Sequence, residues 1–463
     1  MRSRRNSRSN TVLSLQELAL VVNGRLSSGD SEFSSVSIDT RTLEPGALFV
    51  AIDGERVRGS DYVSQAKSAG AVAVLSQRSH DGLLPGVVVD DPIKALGQLA
   101  AFWRNQLSLP IVGITGSNGK TTVKEMVASI LSKSGSGYAS PGNFNNHIGA
   151  PLTLLGVRPT HRFAVVEMGM NHAGEIDYLT RIVQPTVAVI TNAALAHLEG
   201  LGSLSEVVRA KAEIFNGLRS GGTAIINADD RFAAYWAART QAFQTITFGL
   251  NSGARVGGEV STSEDGQLIE LRLPDESIEI QLGLLGRHNA LNAMAAASAA
   301  WACGCSATDI RSGLEAMRAQ PGRLQVRAGS RGASLIDDTY NANPASLRAA
   351  IKTLAGRSGR KMLILGNMAE LGERAEDLHR QAGREARDAG IDMLFACGDL
   401  AALAAEAFGE SGQSFDSTDS LIRAARSFLS PGLTVLIKGS RSARMEQVAN
   451  ALVCASQEGA IAC

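Results

Sequence analysis

The sequence predicts an α/β protein of three domains: a small N-terminal α/β domain, a central mostly parallel sheet, and a C-terminal doubly wound domain. Three observations predict it. The chain has 463 residues, and at roughly 150 residues per domain that is about three cores. Short apolar runs that end in polar residues alternate with helical patterns, the signature of βα units. The 48 glycines and only 5% aromatic residues suit many tight strand-to-helix turns.

The N-terminal domain is read over residues 1–108. Arg2, Arg4, Arg5 and Arg8 stand among serines at its start. A twin-arginine export signal is the sharp reading of them, but no apolar segment follows, so residues 1–10 are expected to be a disordered basic tail on a cytoplasmic protein. Residues 11–22 read as an amphipathic helix. Apolar runs Leu48–Ile52, Ala71–Leu75 and Val87–Val89 read as strands, with a short helix over Tyr62–Ala69. Asp91-Pro92 has the form of a cap and first helical position, so Ile93–Gln106 is a helix running to a boundary near Pro110.

The central domain, residues 109–320, has strands expected at Ile111–Ile114, Phe163–Val166, Val187–Ile190 and Thr223–Ile226, and a helix at Thr121–Lys133. In parallel sheets ligands gather at the C-terminal strand ends, so the polar residues ending these strands mark a nucleotide-binding face. The C-terminal domain, residues 321–463, begins near Pro321-Gly322-Arg323. Its strands are expected at Ser334–Ile336, Lys361–Leu365, Met393–Cys397 and Leu433–Ile437, with a helix at Ala375–Ala389.

Composition excludes several classes. Lys+Arg and Asp+Glu are both 45, for a net charge of zero, against a protein built to coat nucleic acid or an anionic membrane. The 44% hydrophobic content suits packed cores. Five cysteines without CxxC spacing argue against a disulfide framework or structural zinc. No apolar run reaches the ~18 residues of a membrane-spanning helix.

The strongest motif is Thr115-Gly116-Ser117-Asn118-Gly119-Lys120-Thr121-Thr122. It follows a strand and opens a helix. Backbone N–H groups of such a loop converge on phosphate oxygens, and the helix N-terminus adds partial positive charge. Lys120 would neutralise β/γ-phosphates, and the Thr121 hydroxyl would ligate Mg²⁺. The loop departs from the strict form of this motif: Ile114 stands at the first glycine position and Gly113 lies one residue early.

Other residues leave two readings open. Glu167 ends its strand as a second Mg²⁺ ligand or as a solvated carboxylate. His197 follows another strand end, as a site residue or a satisfied polar group. Lys211 reads by default as a surface charge paired with a nearby glutamate. Asn289 and Asn292 share one helical face and either cap the helix or read an adenine edge. Asp338 and Tyr340, in Asp337-Asp338-Thr339-Tyr340-Asn341-Ala342-Asn343-Pro344, either meet ribose and a ring or form a polar turn. Lys438-Gly439-Ser440-Arg441 either binds a carboxylate through Arg441 or is a basic surface turn.

Together these motifs resemble the ATP-dependent Mur ligases of bacterial peptidoglycan synthesis, a superfamily that includes folylpolyglutamate synthases. The resemblance runs from Ser37 to Glu446. Gly142-Asn143-Phe144-Asn145-Asn146-His147-Ile148-Gly149, Tyr340-Asn341-Ala342-Asn343-Pro344 and Lys438-Gly439-Ser440-Arg441 with Met445-Glu446 are similar to the D-alanyl-D-alanine-adding branch. The Asp-Asn-Pro-Arg motif of the diamino-acid-adding branch is not in the sequence.

The resemblance implies a central P-loop-type domain and a Rossmann-like C-terminal domain. It implies ATP and two Mg²⁺ ions, with a carbamate on Lys211 that joins Thr121, Glu167 and His197 in placing metal. Lys120, Lys211, His197 and Glu167 are then the catalytic set. Asn289 and Asn292 lie near adenine, Arg323 meets the γ-phosphate, and Asp338 and Tyr340 complete the ATP site. Ser37, Thr40 and Arg41, with Asn143, Asn145 and Asn146, take the UDP-linked substrate, UDP-N-acetylmuramoyl-tripeptide. Asn341, Asn343, Lys438 and Arg441 take D-Ala-D-Ala. The enzyme is expected to be a monomer with small-molecule substrates and no nucleic-acid partner. A sibling ligase adding one amino acid, or a P-loop ATPase driving conformational change, are the alternatives. Lysine and diaminopimelate remain equally open as the third residue of the tripeptide. The sequence departs from the family at Asn367, where an aspartate is usual.

Overall fold

The computed structural model describes residues 13–55, 57–195, 198–251, 253–263 and 266–454. The basic segment Met1–Asn10 and His197 lie outside them. No described helix is long and apolar enough to cross a membrane.

The N-terminal sheet orders its strands Arg25–Leu26, Gly86–Val88, Ala73–Ser76, Ala47–Val50 and Ser35–Ser37. All neighbours are parallel except the first pair. Ala47–Val50 and Ala73–Ser76 are buried along their whole length, which is why they read as unbroken apolar runs. The first helix is Leu15–Val21, started by a reciprocal cap between Ser14 and Glu17. The second expected helix is Val63–Ser68, preceded by a single tight turn.

Helix Pro92–Gln106 starts where the sequence placed it. The Asp91 carboxylate accepts from Ile93 N (2.9 Å) and Lys94 N (3.1 Å). Its far end is fastened to the central domain. Arg104 is fully buried and its guanidinium donates to Val183 O (2.8 Å), Gln184 O (2.9 Å) and Leu107 O (3.0 Å). Trp103 Nε1 donates to Val157 O (2.9 Å). Burial lowers Arg104 to about 10, so it stays charged at neutral pH with carbonyl oxygens as its counter-dipoles.

The central sheet runs Gln244–Phe248, Thr223–Asn227, Val187–Ile190, Ile111–Thr115, Phe163–Glu167, Gly137–Ala139, all parallel. Ile111–Thr115 sits in the middle, with later strands added on both sides. Its C-terminal end is therefore the topological switch point, where a crevice opens. Beyond the last strand comes an antiparallel meander, Gly257–Thr262, Gln267–Arg272 and Ser277–Leu282, which the sequence reading did not include. Ser277–Leu282 alternates exposed and buried without a break. Its Ile278, Ile280 and Leu282 join the core behind the phosphate loop.

The C-terminal sheet is Gln325–Ala328, Ser334–Asp338, Leu433–Lys438, Arg360–Gly366, Met393–Cys397 and Gly412–Phe415, antiparallel only at the first pair. It is doubly wound, with separate apolar clusters on its two faces. Its strand ends face those of the central sheet across a single large cavity.

Candidate active site

The cavity has a volume of about 1580 Å³, above the usual range for one small ligand. Its floor is the loop after Ile111–Thr115. Gly116 (φ 155°) and Gly119 (φ 83°) hold the turn. A Cβ on Gly116 would lie 1.8 Å from Thr191 Oγ1, and one on Gly119 2.4 Å from Asn292 Oδ1. Side chains are thus excluded by both dihedral and space.

The neighbouring strand end braces the loop. Asn118 N donates to Asn192 Oδ1 (3.0 Å), while Asn118 O accepts from Asn192 Nδ2 (3.0 Å) and Thr191 Oγ1 (2.6 Å). Ser117 N donates to Asn192 O (2.9 Å). Sequence reasoning missed Asn192. Its signal was its place immediately after an apolar strand, but its partner lies 74 residues away, a distance no local pattern spans.

Lys120 Nζ donates to Gly116 O (2.7 Å). Burial pulls its pKa below the ordinary lysine range; Glu167 opposes that shift and Arg323 adds to it. The Thr121 hydroxyl donates to Glu167 Oε2 (2.9 Å), and Asn145 Nδ2 donates to Oε1 of the same carboxylate (2.8 Å). Glu167 is therefore no solvated carboxylate: it is only 2% exposed. From the C-terminal domain Arg323 reaches over to donate to Thr121 Oγ1 (3.0 Å). Its guanidinium lies 3.9 Å over the Tyr340 ring, so that ring is occupied by a cation.

Asn289 and Asn292 line the cavity and do not cap their helix. The helix Arg287–Ala302 begins after Gly286. Asn289 Nδ2 donates back to Leu285 O (2.7 Å), and Asn292 Nδ2 to Asn289 Oδ1 (3.0 Å). Asp338 is held on both oxygens, by Leu324 N (3.1 Å) and Lys438 Nζ (2.5 Å). Lys438 also donates to Asn341 O (2.9 Å). It is buried, so the reading of this segment as a basic surface turn holds only for Arg441, whose side chain is 70% exposed near Glu446. His288 stands in the same wall; burial lowers its pKa, Asp338 raises it and Lys438 lowers it. Asn343 caps helix Pro344–Ala355.

Lys211 corrects its default reading. It is 1% exposed, and its side chain makes no hydrogen bond or ion pair with another described residue. Burial, with the charge of Lys120 adding to it, holds its pKa well below the ordinary value. Glu213, the nearby glutamate, instead accepts from Gly174 N (3.0 Å) and Asp177 N (3.0 Å).

Among the expected residues, Thr115, Gly116, Lys211, Ser37, Thr40 and Arg41 do not line this cavity. Ser37, Thr40 and Arg41 lie at the end of an edge strand of the N-terminal sheet. There Arg41 forms a fork with Asp39 (Nε–Oδ1 2.9 Å, Nη2–Oδ2 2.6 Å). That fork lowers Asp39 to about 2. Asn143, Asn145 and Asn146 do line the cavity. Asn367, where the family has aspartate, uses Oδ1 to accept Ala401 N (2.8 Å) at the start of helix Asp399–Phe408. A neutral amide oxygen does this as well as a carboxylate.

Among the described residues no group of three His, Cys, Asp or Glu is gathered as a metal cage. A hard cation above a phosphate loop takes most of its ligands from phosphate oxygens and water. The Thr121 hydroxyl and Glu167 carboxylate are the oxygen donors that such a site needs from protein.

A loop that cradles phosphate, facing a second sheet across a cavity with room for more than one reactant, defines a multidomain α/β enzyme that uses a nucleoside triphosphate. Comparison with known proteins is specific. The chain belongs to the Mur ligase family: the family's middle domain matches residues 114–300, its glutamate ligase domain residues 322–441, and its catalytic domain residues 32–104. The chain is 40% identical to UDP-N-acetylmuramoyl-tripeptide--D-alanyl-D-alanine ligase of Escherichia coli (strain K12), over 95% of this chain and 98% of the relative. It is 36% identical to the Bacillus subtilis (strain 168) ligase of the same name, over 95% and 98%. Among solved structures it is similar to MurF from Acinetobacter baumannii, with a TM-score of 0.88 and 35% identity over 94% of this chain and 97% of that one. MurF ligase from Thermotoga maritima in complex with ADP gives 0.80 and 28%, over 90% and 96%.

Proposed function

We propose that this chain is the ATP-dependent, ADP-forming ligase that joins D-Ala-D-Ala to UDP-N-acetylmuramoyl-tripeptide, a step of peptidoglycan precursor synthesis. The observation that carries the reading is the phosphate loop, intact with Lys120, Thr121, Glu167 and Arg323 on one cavity, in a chain related over nearly its full length to ligases of that name.

A carboxylate is a poor electrophile because hydroxide is a poor leaving group. Transfer of the γ-phosphoryl to the tripeptide carboxylate makes an acyl phosphate. The D-Ala-D-Ala amine attacks it, and phosphate leaves from the tetrahedral intermediate. No protein nucleophile is needed, so catalysis is positioning and charge stabilisation. Lys120 and Arg323 approach the transferring phosphoryl from opposite sheets. The loop N–H groups orient the polyphosphate. Asn145 fixes Glu167 so that its other oxygen stays on Thr121.

Thr121 and Glu167, with His197, would hold magnesium, and a second ion would sit beside it; bound there, the ions would supply charge neutralisation between the anionic reactants. The setting of Lys211 suits a carbamate: a buried amine held neutral is the form that adds CO₂, and the product is an anionic oxygen ligand. Adenine lies against Asn289 and Asn292, and ribose near Asp338. The domain of residues 1–108 takes the UDP moiety through Ser37, Thr40 and Arg41, with Asn143, Asn145 and Asn146 guiding the peptide. Residues 321–463 take the acceptor through Asn341 and Arg441; Asn343 and Lys438, expected in the same set, spend their side chains on holding the wall of the site. A cytoplasmic location, where ATP and UDP-linked precursors are available, and a monomeric state go with this reading.

Phosphate release with ATP and the UDP-tripeptide tests the reading. D-Ala-D-Ala should stimulate it and single amino acids should not. Turnover independent of any acceptor, or preference for a single amino acid, overturns it.

A further inference from the structure

The Asn343 side chain uses both ends of its amide, and one of its bonds crosses between domains. Its Oδ1 accepts Ser346 N (2.9 Å), capping helix Pro344–Ala355. That bond fixes which way the amide faces, because only the oxygen can accept. Nδ2 then points away from its own helix and donates to Asn118 Oδ1 of the phosphate loop (2.8 Å). Asn118 is just as fixed from behind, since its backbone N–H and C=O are both held by Asn192. Two rigid frames thus meet through an amide–amide bond, alongside the Arg323–Thr121 bond, at the wall of the cavity that both sheets line.

We propose that Asn343 and Asn118 are a positioning pair. Their bond sets the register of the C-terminal domain on the phosphate loop, so that Arg323 and the Tyr340–Asn341 segment arrive over bound nucleotide. This rests on the ligase reading above and adds to it a determinant of domain closure. The pair acts through geometry, so its loss lowers kcat and leaves ATP binding nearly intact.

The substitutions Asn343→Ser and Asn118→Ser, alone and together, test it. Serine keeps the helix cap but is too short to bridge the domains. Each single variant should lower kcat about tenfold, the worth of one neutral hydrogen bond at a closed interface, with KM for ATP within about twofold of wild type. The double variant should also lose about tenfold, because both changes remove the same bond. Its Tm should match wild type. Small-angle scattering with a non-hydrolysable ATP analogue should show less compaction in all three variants than in wild type.

A double variant that loses about a hundredfold overturns the pair, as does unchanged kcat. So does a loss of Tm in Asn343→Ser that accounts for the lost activity. Should wild type lack acceptor-dependent turnover, the ligase reading falls; the scattering comparison then still decides the pair, equal compaction in all forms overturning it.

Discussion

The central and C-terminal sheets share an architecture: six strands, mostly parallel, with polar residues at their C-terminal ends. They use those ends differently. In the central sheet Lys120, the lysine that closes the loop after the strand and opens helix Lys120–Leu131, has its own loop carbonyl as hydrogen-bond partner, and its charge remains available to an anion. In the C-terminal sheet the strand-end lysine, Lys438, is locked to Asp338 and Asn341 O. One sheet keeps its charge for a ligand, and the other uses its charge to hold its own wall in shape. Topology supplies the crevice; the residue after the strand decides what the crevice does.

Exchanging each lysine for alanine tests that contrast most severely. Lys120→Ala should lower kcat roughly a thousandfold, the scale of removing one preorganised charge from a transition state, with Tm unchanged. Lys438→Ala should instead unfold earlier, since breaking a buried pair costs about 3 kcal/mol or more. Steady-state kinetics and calorimetry on both variants read the difference. Equal losses of Tm would erase it.

Glycine gives a second contrast of smaller effect. An alanine at Gly116 meets Thr191 Oγ1 at 1.8 Å with φ at 155°, whereas one at Gly366 meets only side-chain atoms of the C-terminal domain, Met445 Cγ and Sδ at 2.8 Å and Ala443 Cβ at 2.9 Å. Gly116→Ala should abolish measurable binding of a fluorescent ATP analogue, and Gly366→Ala should retain it.

The smallest effect concerns Lys211. A lysine whose folded pKa is depressed binds fewer protons folded than unfolded, so its contribution to stability rises with pH up to the unfolded value. In CO₂-depleted buffer Lys211→Met should therefore raise Tm at pH 7, with the gain shrinking as pH approaches 10. A gain that does not change with pH would count against a neutral Lys211. Activity should be lost in the same variant.

Much of this was legible in the sequence because it is local. Val187–Ile190 and Met393–Cys397 occur with the bounds read from their apolar runs, and Asp91-Pro92 marked its helix start correctly. The meander at 257–282 escaped a reading that sought unbroken apolar runs, although Ser277–Leu282 carries the alternation of a half-buried strand. Gly137–Ala139 has no apolar signal to offer: it is a short edge strand, partly exposed throughout. The site was legible at its loop; of its braces, Asn192 was not read at all and Asn343 was read as an acceptor contact. Asn192 and Asn343 are ordinary polar residues until folding brings them to Asn118. Lys211 read physically as a surface charge, because burial of a lysine on one helix depends on what covers it.

The Arg104 anchorage carries a mechanical consequence. Peeling helix Pro92–Gln106 from the central layer would strand a guanidinium from the carbonyls of Val183 and Gln184, which solvate it in place of water. The helix is thus a fixed post. Any rotation of the N-terminal sheet against the central sheet would therefore turn on the few residues between Gly86–Val88 and Pro92. The lever arm is then the N-terminal sheet alone, and the ground it turns against already includes helix Pro92–Gln106.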